Sequence, residues 1–136
     1  MSACSPTPLI RKLGIKEGNS IFLHQSPTSY FEWLGPLPPH IELLESCEKE
    51  SLDFIHAFFT AKQDLEEQLP SLKAGLKPNA MVWISWPKGK SGVETDLNRD
   101  IIREMGLGAG LVDVKVASVN EIWSGLKFVY RLVDRK

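Results

Sequence analysis

Residues 81–86 constrain the fold of this chain more than any other stretch. Five of these six residues are apolar, and Ser85 is the single polar side chain among them. Such a continuous apolar run, without alternation, is typical of a strand that is covered on both faces of a sheet. Pro87 has no backbone N–H to donate to a neighbouring strand, so the strand is predicted to end there. The sequence therefore predicts an α/β fold with this strand near the centre of the sheet.

Length and charge limit the class of protein. The chain has 136 residues, enough for one domain with a buried core, and we expect a flexible arm at residues 1–8 followed by a single α/β domain at residues 9–136. Sixteen basic and seventeen acidic residues leave a net charge of −1, which favours neither nucleic acid nor a membrane surface as a partner. The apolar runs are far too short to span a membrane. With two cysteines and no signal-peptide pattern, we expect a cytoplasmic protein with reduced thiols.

The remaining strands are predicted from apolar runs and from two-residue alternation. They cover residues 20–24, 40–44, 52–59, 111–119 and 126–133. Only residues 120–125 separate the last two strands, too few for a parallel crossover, so this pair is predicted to be antiparallel. A hairpin centred near Ile122 would place Asp113 opposite Arg131 and Lys115 opposite Val129.

The predicted helices are placed by their capping residues. Ser26 is the expected N-cap of a helix at residues 27–34, and Thr60 with Gln63 forms an expected capping box. Pro70 is expected to kink or split the helix that this box begins. Thr95 is the expected N-cap of a further helix, which Gly106 ends, and a short helical turn is predicted near residues 9–13.

The connection between the second and third strands leaves two arrangements open. Residues 45–51 form an acidic loop that is shorter than a usual parallel crossover. The two strands either lie parallel with another strand between them or pair directly as a hairpin.

Several motif-like strings are weak. Residues 106–110 have a glycine rhythm but follow a helix and precede a strand, the reverse of a dinucleotide-binding turn, so we interpret them as a loop. Gly89–Ser91 resembles the end of a P-loop, yet Ile84 stands where the leading glycine belongs. His24, His40 and His56 lack the spacing of metal ligands, so no metal site and no catalytic set are predicted.

Four strings resemble a family of small, uncharacterised bacterial proteins known as a domain of unknown function. The resemblance spans nearly the whole chain and implies a fold without implying any chemistry. The strings are residues 86–88, 95–97, 110–116 and 123–129.

Residues 52–133 are similar, more distantly, to the second half of class I S-adenosylmethionine-dependent methyltransferases. The similar features are residues 53–55, an amphipathic helix, residues 76–80 before a strand, and the final hairpin. This resemblance implies a three-layer, Rossmann-like mixed sheet of about six strands with truncated methyltransferase-like topology. It implies the strand order 2-1-3-4-6-5, with only the sixth strand antiparallel.

The first half departs from that methyltransferase pattern. Residues 24–27 replace the glycine-rich turn that lets the cofactor approach the backbone, although Glu45 lies near the position of the acidic residue that binds ribose. This departure argues against S-adenosylmethionine as a cofactor.

A ligand site is predicted at the carboxyl ends of the strands, where α/β proteins bind their ligands. Two lysines, a hydroxyl and a helix N-terminus are suitable donors to an anion, and two tryptophans lie where a ligand could stack. We therefore expect a non-catalytic binding or regulatory module for a small anionic ligand or a protein partner. The alternative is an adenosyl-cofactor-dependent transferase with a degenerate cofactor loop, and a plain solvated loop would carry neither function. The predicted site residues are Ser26, Trp86, Lys88, Lys90, Ser91, Thr95, Asn120 and Trp123.

Overall fold

A computed structural model describes residues 8–134, so the predicted arm at residues 1–8 lies outside that range except for Pro8. Six strands form one sheet: β1 (Ser20–His24), β2 (Glu42–Leu44), β3 (Leu52–Phe58), β4 (Leu76–Pro87), β5 (Leu111–Ser118) and β6 (Trp123–Tyr130). Four helices accompany them: α1 (Leu9–Leu13), α2 (Tyr30–Leu34), α3 (Lys62–Gly75) and α4 (Arg99–Gly108). None of the described helices has both the length and the apolar character needed to cross a membrane.

The strand order is β2-β1-β3-β4-β6-β5, as predicted. Neighbouring strands from β2 to β4 are parallel, whereas β6 pairs antiparallel with both β4 and β5. The mixed three-layer fold and its single antiparallel strand are therefore confirmed. The alternative hairpin between β2 and β3 is wrong, because β1 lies between them.

The short connection between β2 and β3 is possible because β2 is so short. β2 has three residues, and Leu44 lies level with Phe22 of β1, which in turn pairs with Ile55 of β3. The chain must therefore descend only about 10 Å to begin β3 at Leu52, at roughly 3.3 Å per residue. Residues 45–51 cover that distance easily without a crossover helix.

Two apolar layers enclose the sheet. Helices α1 and α2 cover one face, where the buried side chains are Leu13, Ile15, Ile21, Tyr30, Leu34, Phe54, Phe58 and Trp83. Helices α3 and α4 cover the other face, where the larger layer includes Ile55, Leu65, Leu72, Val82, Ile84, Ile102 and Phe128. Alternate residues of β4 thus reach opposite layers, and this confirms that β4 is buried on both faces.

Trp83 fixes α1 to the centre of the sheet. Its indole N–H donates a buried hydrogen bond of 2.8 Å to the carbonyl of Leu13, the last residue of α1. Gly125 on the adjacent strand makes room for the ring, since a Cβ there would lie 3.0 Å from Trp83 Cε3.

The predicted start of α2 is wrong. The helix begins at Tyr30 rather than at residue 27, and its N-cap is Ser29 instead of Ser26. Residues 27–29 still form a turn, with the Tyr30 N–H bonded to the carbonyl of Pro27. Ser26 therefore lies in the loop that precedes this turn.

The predicted starts of the two long helices are also wrong. The N-cap of α3 is Ala61, and the free Lys62 N–H is bonded by the Asp96 carboxylate at 2.8 Å, so Thr60 and Gln63 form no capping box. Helix α4 begins at Arg99, where Asn98 is the N-cap and accepts from the Ile101 N–H at 2.9 Å. Thr95 instead lies in a loop that crosses to α3.

Helices α3 and α4 both continue past residues that were expected to interrupt them. Helix α3 includes Pro70, which is exposed, without splitting there. Helix α4 passes Gly106 and ends at Gly108, so residues 106–108 are helical and not a loop. A Cβ on Gly106 would overlap the ring of Phe128, which shows how closely α4 approaches β6.

The predicted register of the β5–β6 hairpin is wrong. Asp113 lies opposite Phe128 and Lys115 lies opposite Lys127, with an irregularity between Asp113 and Lys115 that shifts the pairing. The Asp113 carboxylate pairs instead with Arg103 of α4 at 3.2 Å. An inserted residue of this kind moves every later pair, because side chains alternate between the faces of a strand.

Candidate functional site

The carboxyl ends of β1, β2, β3 and β4 lie along one edge of the sheet, the edge at which ligands bind in α/β proteins. The loop between β5 and β6 lies at the same edge, since Pro87 at the end of β4 is opposite Trp123. We call one end of this edge the β1–β2 corner, formed by His24, Gln25, Phe31, Leu43 and Glu45. We call the other end the β4–β6 corner, formed by Lys88, Ser118, Asn120 and Trp123.

The turn after β1 has an unusual backbone. Gln25 has a φ of 55°, in the left-handed region that favours glycine. A non-glycine residue there costs roughly 1–2 kcal/mol. The turn therefore has the left-handed conformation that usually requires glycine, although no glycine is present. A search of the sequence for glycine does not detect such a turn.

His24, the last residue of β1, has an unsatisfied ring nitrogen. Its Nε2 is buried and has no hydrogen-bond partner among residues 8–134, and its ring lies 5.2 Å from that of Phe59. Burial lowers the pKa of His24, with the nearby Asp64 carboxylate opposing part of that effect. The imidazole is therefore neutral at pH 7 and can form one further hydrogen bond. The sequence places His24 at a rim but does not indicate this free nitrogen.

A cavity of about 350 Å³ opens beside the ends of β1 and β2. Its walls are mainly apolar, and two of them, Phe31 and Leu43, are 41% and 50% exposed. The exposed carboxylate of Glu45 also lines it. The cavity thus combines apolar walls with one anionic oxygen pair.

A buried chain of hydrogen bonds lies beneath this edge. The Tyr30 hydroxyl bonds to His56 Nδ1 at 2.7 Å, and His56 Nε2 bonds to the Ser85 hydroxyl at 2.7 Å. Burial lowers the pKa of His56 to about 3 and raises the pKa of Tyr30, so both groups are neutral at pH 7. Because all three side chains are at most 1% exposed, the chain fixes α2 to β3 and β4 and does not face a ligand. His56 is therefore a core histidine with both ring nitrogens hydrogen-bonded.

The structure brings three predicted site residues together at the β4–β6 corner. The Lys88 N–H donates to the Ile122 carbonyl at 2.7 Å, and Asn120 Oδ1 accepts from the Trp123 N–H at 2.8 Å. The Lys88 ammonium donates to the hydroxyl of Ser118 at 2.6 Å. Ser118 was missed from the sequence, because at the end of β5 it resembles any exposed strand hydroxyl.

The two predicted tryptophans reach opposite faces of the sheet. Trp86 is 7% exposed and belongs to the layer under α3 and α4. Trp123 is half-buried on the opposite side, with its ring 5.0 Å from that of Phe58. A single ligand at the β4–β6 corner can therefore contact the exposed part of Trp123 but not both rings.

The remaining predicted residues are dispersed. Ser91 accepts a hydrogen bond of 3.1 Å from the Val93 N–H, and Thr95 bonds to the Thr60 carbonyl. Lys90 is exposed, and Ser26 lies near the β1–β2 corner, two residues after His24. The helix N-terminus expected at Thr95 does not exist, because α4 begins at Arg99 and its N-terminus is capped by Asn98.

No protein-family model and no curated protein matches this sequence. Solved structures are similar to it in fold. A SAM-dependent methyltransferase from Aquifex aeolicus has a TM-score of 0.64 at 16% identity, covering 88% of this chain and 86% of that chain. A possible exported protein from Bordetella parapertussis has a TM-score of 0.65 at 10% identity, covering 90% of this chain and 65% of that chain. The DhpI–SAH complex has a TM-score of 0.63 at 11% identity, covering 92% of this chain and 83% of that chain. At these identities the likeness establishes a methyltransferase-like fold and nothing finer.

Proposed function

We propose that this chain binds an adenosyl cofactor at the β1–β2 corner and acts as a methyltransferase-like transferase with an altered cofactor turn. The observation that carries the proposal is the cavity of about 350 Å³ beside the ends of β1 and β2. This edge of the sheet is the ligand edge of the fold, and the similar solved structures include one described as a SAM-dependent methyltransferase.

The residues of this corner suit an adenosyl group. Phe31 and Leu43 offer exposed apolar surface for a flat purine ring. The Glu45 carboxylate follows β2, where an acidic side chain accepts hydrogen bonds from ribose hydroxyls in related folds. The left-handed Gln25 supplies the turn after β1.

Such a transferase needs no nucleophilic residue of its own. When bound, S-adenosylmethionine supplies an activated methyl group, so the role of this chain is to bind and orient. Apolar walls that exclude water and one carboxylate that fixes the ribose serve that role.

Calorimetric titration with S-adenosylhomocysteine tests the proposal. We expect the wild-type chain to bind, and Glu45→Gln to bind about 10–100-fold more weakly, because a hydrogen bond to a charged group contributes about 1.5–3 kcal/mol. Glu104→Gln is the matched control: it changes an exposed carboxylate on α4 and should bind as the wild type does. Absence of binding by the wild type would refute the proposal, and equal binding by Glu45→Gln would remove Glu45 from the site.

A non-catalytic anion-binding module at the β4–β6 corner is the second candidate. It is supported by Lys88, which is held to Ser118, and by the exposed Lys90 two residues later in the same loop. A thermal-shift screen of adenosyl compounds, nucleotides and simple anions distinguishes the two candidates, since a ligand that binds only the native state raises its Tm. Lys88→Ala with Lys90→Ala should abolish a shift caused by an anion at this corner and leave a shift caused by S-adenosylhomocysteine unchanged.

We further infer that the chain is a cytoplasmic bacterial protein. The four strings that resemble the small bacterial family support the source, and the two cysteines, too few for a disulfide framework, suit a reducing compartment. Fractionation of the native host with an antibody to the chain would test both, and recovery in a membrane or secreted fraction would contradict the location.

A further inference from the structure

Three lysines lie near the end of α1 on the face of the sheet that α1 covers. Lys115 of β5 lies directly opposite Lys127 of β6, and the Lys115 ammonium donates to the carbonyl of Lys12 at 3.3 Å. Lys16 lies just beyond α1, and the pKa of Lys127 is lowered by burial and by the positive charges of Lys115 and Lys16. We call Lys16, Lys115 and Lys127 the lysine cluster.

Among residues 8–134, no carboxylate forms an ion pair with the lysine cluster. The ammonium groups of Lys16 and Lys127 form no hydrogen bond with another described residue either. The ion pairs between described residues are Lys77–Asp53, Arg99–Asp100, Arg103–Asp113 and Arg131–Asp134.

This arrangement opposes folding. Like charges directly opposite each other on neighbouring strands are destabilising, and Lys127 is half-buried, where solvent screens its charge less. The bond from Lys115 to the end of α1 offers a structural role for that one lysine. That bond gives no structural role to Lys16 or Lys127.

The cluster is also held in place before any ligand arrives. Trp83 pairs with Lys127 across β4 and β6, and its indole bond to Leu13 fixes the end of α1 over this part of the sheet. Three separate segments of the chain thus present cations at one place on a rigid support. An unbalanced and preorganised charge cluster of this kind suits a ligand of opposite charge.

We propose that the lysine cluster binds an anion that carries phosphate groups. Ammonium groups act as point charges toward phosphate oxygens, and several of them match a multiply charged group better than a single carboxylate. The site is separate from both corners of the carboxyl edge, because Lys127 lies within β6 and the other two lysines lie on β5 and just beyond α1. The phosphate could belong to a free small molecule or to a lipid headgroup.

Titration with inorganic pyrophosphate at low ionic strength tests this site. We expect binding by the wild type that weakens as salt is added, and at least about tenfold weaker binding by Lys127→Gln, equivalent to about 1.4 kcal/mol. Lys127→Arg should retain binding because it keeps the charge. Lys49→Gln is the matched control, since Lys49 is an exposed lysine in the acidic loop between β2 and β3, and should bind as the wild type does.

A second measurement does not depend on any ligand. Lys127→Gln removes a like-charge contact, so it should raise the Tm of the unliganded protein, and added salt should reduce the difference. A parallel assay uses phosphatidylcholine vesicles with and without phosphatidic acid. Binding to the acidic vesicles alone assigns the site to a lipid phosphate, and binding to pyrophosphate alone assigns it to a free anion. Failure of the wild type to bind either probe, or equal binding by Lys127→Gln, would overturn the proposal.

Discussion

The centre of the sheet and the β1–β2 corner differ in how completely their groups are satisfied. At the centre, β4 is buried on both faces, and the polar side chains of His56 and Ser85 are hydrogen-bonded to each other. At the corner, β2 has three residues, Gln25 is left-handed and His24 Nε2 has no partner in the described part of the chain. His40 and Glu50, in the loops before β2 and β3, are left-handed as well, so the unsatisfied His24 nitrogen is what distinguishes this corner from the rest of the described chain.

The largest expected difference between the two regions is in side-chain burial. Trp83→Ala should lower the free energy of unfolding by about 3–5 kcal/mol, because it leaves a cavity and removes the bond to Leu13. Leu43→Ala, at a side chain that is 50% exposed, should lower it by about 0.5 kcal/mol or less. Urea denaturation with unchanged m-values measures both. Similar losses for the two variants would contradict the comparison.

The pH dependence of stability should report the buried histidine. The pKa of His56 is about 3 in the folded chain against an ordinary 6.5, so the unfolded chain binds the proton more readily. The contribution of the neutral His56 to the free energy of unfolding is therefore fully present above pH 6.5 and is lost as the pH falls toward 3. The free energy of unfolding should fall by up to about 1.4 kcal/mol per pH unit in that window.

Chemical denaturation between pH 7 and 5 measures this slope before most carboxylates titrate. His56→Gln should reduce the slope, and the part that remains belongs largely to His24, whose pKa is also lowered by burial. A stability that stays flat across this range in the wild type would show that His56 is not buried as described.

A smaller effect is expected at the turn after β1. Gln25→Gly relieves a left-handed backbone and should raise the free energy of unfolding by about 0.5–1 kcal/mol. The gain is this small because glycine has greater freedom in the unfolded chain. Glu50→Gly is the matched control, because Glu50 is also left-handed, with a φ of 50°, but lies in the loop before β3. Only Gln25→Gly should tighten the binding of S-adenosylhomocysteine in a titration. An equal change in affinity for both variants would show that the turn after β1 is not part of the proposed site.

The strands and the antiparallel hairpin could be predicted from patterns that the sequence displays directly. The apolar runs locate the strands, and β1 was predicted with the bounds that the structure has. The few residues between β5 and β6 require an antiparallel pair, which the structure confirms. The strand order, with β6 beside β4, was predicted from the resemblance to methyltransferases and is also confirmed. These predictions stay correct even when the predicted ends of a strand are wrong by a few residues.

The helix caps and the register could not be predicted, because contacts distant in sequence decide them. Thr95 and Asn98 are both good N-cap residues, and the contact of Thr95 with the Thr60 carbonyl leaves Asn98 to cap α4. The irregularity between Asp113 and Lys115 leaves no mark on the alternation of β5. Lys88, Asn120 and Trp123 lie together in the structure, and their role in binding a ligand stays a prediction. The cavity, the free nitrogen of His24 and the lysine cluster emerge only from packing.

The close approach of Gly106 to Phe128 has a consequence for evolution. The two positions share one volume, because a single methyl group on Gly106 would overlap the Phe128 ring. Their sizes should therefore change together: a relative with alanine at the first position should carry a smaller side chain at the second. Such paired changes would help to identify distant relatives that keep the same contact between α4 and β6.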